Sequence, residues 1–67
     1  MNFREVVKAR RRTLKISQQD LAEMSGLGVA TIKDIERGKG NPSLSTVTRI
    51  LEVLGMEIDF KLRQTVI

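Results

Sequence analysis

The stretch SQQDLAEMSGLGVATIKDIERG, Ser17 to Gly38, decides how this chain folds. Its opening residues carry a helix-start signal, with Ser17 as N-cap and Asp20, three residues on, reaching back to it. Leu21 and Ala22 supply the buried side of a short helix. Ser25-Gly26 ends it, because Gly26 suits the left-handed backbone that closes a helix. Only Leu27 and Gly28 intervene before the apolar period resumes. From Gly28 to Arg37 the pattern is helical again, and at about 100° per residue Ile32 and Ile35 share one face. Val29, Ala30, Lys33, Asp34 and Arg37 fall on the other, with Glu36 at the border.

Upstream, Asn2 and Glu5 have the spacing of a capping box, and Phe3, Val7 and Leu14 recur at helical intervals. A first helix is expected to run to about Thr13 or Leu14. Downstream, Gly38-Lys39-Gly40-Asn41-Pro42 reads as a loop. Ser43 then caps a fourth helix with an apolar stripe of Leu44, Val47, Ile50, Leu51 and Leu54, ended by Gly55. Beyond Gly55 the period changes. Met56, Ile58, Phe60 and Leu62 alternate with Glu57, Asp59, Lys61 and Arg63, the pattern of a half-buried strand. A lone strand needs a partner for its backbone groups, and the simplest is the same strand of a second copy on a two-fold axis. Met56, Ile58, Phe60 and Leu62 are therefore the expected homodimer interface. The chain divides into a domain over 1–55 and a dimerisation strand and tail over 56–67.

Composition narrows the function classes. A chain of 67 residues has room for one small domain, and domains of this size bury only about 60% of their unfolded surface. With no Cys and no His, disulfides and zinc clusters are excluded, which leaves a second subunit as the means of support. No metal or other cofactor is expected. Twelve Lys and Arg against eight Asp and Glu give a net charge of +4, and the pI is about 10.1. Such a balance points to an acidic partner, nucleic acid first. The cations cluster: Arg4, Lys8, Arg10, Arg11, Arg12 and Lys15 in the first segment, Lys33, Arg37 and Lys39 in the second. No apolar run approaches the roughly 18 residues of a membrane span, and no signal-peptide stretch opens the chain. A cytoplasmic protein is expected. Catalysis has no support, since every Ser worth noting sits at a cap or a helix end. Met24 is expected as core filler.

Two short helices joined by a tight glycine-containing turn, the second with a polar outer face, form a helix-turn-helix. Gly26 permits the turn, Ala22 lets the helices approach, and Leu21, Leu27, Ile32 and Ile35 fill the angle. Ser17-Gln18-x-x-Leu21-Ala22, Gly26-Leu27, Thr31-Ile32-x-x-Ile35-Glu36-x-Gly38 and Pro42-Ser43-Leu44-x-Thr46, in this order and spacing, resemble the XRE family of the phage repressors and Cro. The resemblance covers roughly residues 5 to 55. It implies a mainly α, four- to five-helix, lambda-repressor-like DNA-binding domain whose third helix enters the major groove.

By the same resemblance, Gln18 contacts the DNA backbone or buttresses a recognition residue. The base-reading positions are Gly28, Val29, Ala30, Thr31, Lys33 and Asp34. Arg37, Lys39 and Asn41 are implied phosphate contacts, with Arg10 the phosphate candidate of the first helix. Arg11 and Glu36 occupy the places of a structural ion pair. Val29 and Ala30 depart from the polar residues many relatives carry. Either they meet thymine methyls, or specificity rests on Lys33, Thr31 and DNA shape. A pairing C-terminal strand is a second departure, and resembles the HipB-type antitoxin branch, which implies a toxin protein as a further partner. The expected function is a sequence-specific transcriptional regulator, a repressor, acting on a near-palindromic operator in double-stranded DNA. The antitoxin that autoregulates a toxin-antitoxin operon is one form of it. The rival is a protein-interaction module that neutralises a toxin or partner with little DNA readout.

Overall fold

The computed structural model describes residues 2–59, which form four α-helices in the order α1 (Phe3–Thr13), α2 (Gln18–Ser25), α3 (Val29–Glu36) and α4 (Leu44–Val53). The caps explain the boundaries. Asn2 Oδ1 accepts from the Glu5 N–H at 3.0 Å. Ser17 and Asp20 close a full capping box, each side chain bonded to the other's backbone N–H at 2.9 Å. Ser43 caps α4 through the Thr46 N–H. Each such bond satisfies a first-turn N–H that has no partner inside the helix. Gly28 is the N-cap of α3 and gives it no side-chain cap, so α3 is one residue shorter at each end than the sequence pattern suggests. Gly26 closes α2 at φ 74°, with the Leu27 N–H returning to Ala22 O at 2.9 Å.

The core is a single cluster drawn from all four helices. Val7, Leu21, Ile32, Ile50 and Leu54 are fully buried, with Ala22 and Ile35 nearly so. α2 packs against both α3 and α4, and α1 lies against α3. Fully burying a side chain of this size contributes about 1.5–3 kcal/mol, so these few residues carry most of the driving force of a small domain.

Several expectations need correction. Met24 is 61% exposed, because on α2 it lies beyond the stripe of Leu21, Ala22 and Ser25 that faces the core. Leu14 is exposed as the C-cap of α1. Val29 is half-buried and packs on the core, since it falls beside Ile32 on the helix wheel rather than opposite it. The described residues hold four helices and no fifth. Met56–Asp59, expected to begin a strand, is neither helical nor paired in the single chain. Phe60 and Leu62, the other half of the expected interface, lie outside the described residues, as does the tail 64–67.

Candidate nucleic-acid interface

The helix-turn-helix arises where α2 and α3 meet, and its fixed point is Glu36. The sequence ends α3 on this residue at the border of the apolar face, and the fold buries it to 4% exposure. An isolated carboxylate there would be costly, and two side chains, Arg11 and Gln18, hydrogen-bond to it. Arg11, from α1, donates from Nε to Oε2 at 2.7 Å and from Nη2 to Oε1 at 2.9 Å. Its remaining Nη1 donates to Ile16 O at 3.0 Å, tying the α1–α2 turn into the same network. Gln18, the first residue of α2, donates from Nε2 to Glu36 Oε1 at 3.3 Å. Burial pushes the Glu36 carboxyl up, but the Arg11 hydrogen bonds and charge, with Gln18 and Lys8, outweigh it and hold it below its ordinary value. The bond to Glu36 likewise raises Arg11 against the effect of its own burial.

This network fixes the pitch of α3. With Ile32 and Ile35 turned inward, Ala30, Thr31, Lys33 and Arg37 are exposed on the outer face. Asp34 is half-exposed and pairs with Arg37 one turn on. Gly28, at the head of this face, is open, and a Cβ there would meet nothing within 4 Å. A shallow cleft joins Thr31 and Asp34 to Lys39 and Asn41 of the loop before α4. The loop turns on Gly38 at φ 75° and Gly40 at φ 78°, where an ordinary side chain would be strained.

The structure thus brings Thr31, Asp34, Arg37, Lys39 and Asn41 into one neighbourhood. Gln18 stands at the N-terminus of α2, anchored through Glu36. Arg10 is placed elsewhere. Its Nε donates to Leu54 O at 2.9 Å, so this guanidinium sits at the end of α4. Two further cations belong near this surface, although the sequence pattern does not single them out. Arg4 lies over Gly38, its Cδ 3.2 Å from where a Cβ would sit, and lines a second cleft with Arg37 and Lys39. Lys8 adds its charge near Glu36. In the sequence both look like a solvated helix face, and the room that Arg4 occupies is left by the missing side chain at Gly38, far along the chain.

Comparison with known proteins agrees with this geometry. The sequence profile of the helix-turn-helix family matches residues 7–61. The chain is 38% identical over 58 residues to the immunity repressor protein of Bacillus phage phi105, covering 87% of this chain and 40% of that protein. It is 37% identical over 55 residues to an HTH-type transcriptional regulator of Methanothermobacter thermautotrophicus, covering 82% of this chain and 80% of that one. Among solved structures it is similar to the restriction-modification controller protein C.AhdI from Aeromonas hydrophila. The TM-score is 0.79 at 31% identity, covering 82% of this chain and 83% of that one. The chain belongs to the helix-turn-helix family, in its XRE branch of DNA-binding transcriptional regulators.

Proposed function

We propose that this protein is a transcriptional repressor that binds a near-palindromic operator as a homodimer, laying α3 of each copy in successive major grooves. The observation that carries it is the outer face of α3. Ala30, Thr31 and Lys33 stand exposed on a helix pitched by the buried Arg11–Glu36–Gln18 network, with Arg4, Arg37, Lys39 and Asn41 flanking it. In this arrangement Lys33 and Thr31 donate to base edges and Ala30 meets a thymine methyl. Gly28 lets the backbone approach closely, and Val29, half-buried, supports the first turn from behind. Asp34 is held by Arg37 and shields that helix end from indiscriminate phosphate contact. Arg37, Lys39, Asn41 and Arg4 position the domain through phosphate, which supplies affinity without sequence choice. Gln18 holds its place on Glu36 while presenting the start of α2 to the backbone.

Titration of a mixed-sequence duplex over a salt series tests the phosphate half of this proposal. The logarithm of affinity falls linearly with the logarithm of salt, and Lys39→Ala and Arg37→Ala each lower the slope by about one, the share of a single phosphate. Binding that ignores salt, or slopes that ignore both variants, would contradict it.

A further inference from the structure

One carboxylate, Asp34, stands among the cations Arg4, Lys33, Arg37 and Lys39 at the outer face of α3. At about 100° per residue, Ala30, Asp34 and Arg37 fall within about 60° of one another, opposite Ile32 and Ile35. Asp34 therefore lies on the outermost line of the helix. It also lies in the last turn of α3, where the helix dipole disfavours an anion. Its exposed pair with Arg37, one turn on, recovers little of that. Helix stability does not account for this carboxylate.

Taking α3 as the helix that enters the major groove, as proposed above, we infer that Asp34 selects a cytosine by accepting a hydrogen bond from its N4 amino group. An ionised carboxylate can only accept, so it needs a donor. Guanine offers O6 and N7 in the major groove and thymine offers O4, all of them acceptors. Adenine sets its N6 amino group beside the N7 acceptor, and cytosine alone offers an amino donor with no acceptor next to it.

Phosphate repulsion is the obstacle, and the fold meets it. Arg37 donates from Nη2 to Asp34 Oδ1, and among the described residues Oδ2 has no hydrogen bond. The carboxylate is thus neutralised on one oxygen and keeps the other for a base. Lys39 lines the same cleft, and its backbone N–H holds Asp34 O at 2.8 Å. Arg37 keeps Nε and Nη1 for phosphate, so the pair links a base to the strand beside it. Aspartate is short, and Ala30, one turn earlier on the same line, is small enough to let the helix come close.

Selection from random duplexes with wild type, Asp34→Asn and Asp34→Ala tests the assignment. Wild type should require a G·C pair at one position of each half-site. Asp34→Asn should move that position to A·T, since an amide accepts from N6 and donates to N7 of adenine. Asp34→Ala should leave that position open and the others unchanged. In titrations of matched duplexes, wild type is expected to prefer cytosine to adenine there about tenfold, and Asp34→Asn to reverse the order. A role limited to tethering Arg37 would change affinity for every duplex alike and move no position, which would overturn the inference. Circular dichroism of each variant confirms that the helices persist. A palindrome that neither Asp34 variant alters at any single position overturns the cytosine assignment but leaves the regulator standing. A wild-type chain that enriches no sequence overturns both.

Discussion

Glu36 is the residue at which stability and recognition meet, because one buried carboxylate holds α1 through Arg11 and α2 through Gln18. Removing one partner of a buried ion pair strands the other. Glu36→Ala is therefore expected to cost about 3–5 kcal/mol in denaturant unfolding, enough to unfold much of a domain this small. An Arg11→Met/Glu36→Leu double exchange should recover most of that loss, since it removes both charges and keeps the volume. The depressed Glu36 pKa also fixes a pH dependence. As pH falls, the unfolded chain takes up its proton first, so the contribution of Glu36 is complete above the ordinary carboxylate range. It is lost as pH drops through the lowered folded value. Thermal melts of the wild type and Glu36→Gln should show the acid-side decline reduced in the variant. An equal decline in both would assign it to other carboxylates.

At the scale of elements, the helices are legible in the sequence because their signals are local. The Ser17–Asp20 box, the Asn2 and Ser43 caps and the left-handed Gly26 are all satisfied by neighbours within a few residues. What local pattern does not supply is the fate of side chains that bond across the fold. Arg10 is drawn to a carbonyl 44 residues away, and Arg4 settles over Gly38. The Arg11–Glu36 pair, implied by family resemblance, does form. Of the four described helices, α3 alone starts without a side-chain cap. Gly28→Ser, at φ −75° and with open space around it, should raise stability by a few tenths of a kcal/mol in chemical unfolding. A loss instead would mean that the bare N-terminus is already satisfied from within the fold.

Among the described residues, one cleft gathers cations and another gathers exposed apolar side chains. Arg4, Arg37 and Lys39 gather beside the exposed face of α3, and the uncovered Leu44 and Met56 lie along α4. That division suits a protein that meets DNA with one surface and a second copy with another. Half-site centres one helical turn apart, about 34–36 Å, follow for two α3 helices on a two-fold axis. Selection of binding sites from random double-stranded DNA, run in parallel with Lys33→Ala, tests this most directly. The result predicted is a palindrome with one-turn half-site spacing, in which the Lys33→Ala selection relaxes a single base per half-site. A pool with no enriched sequence, or one whose preferences are untouched by the Lys33 exchange, would contradict the assignment of α3 as the reading helix.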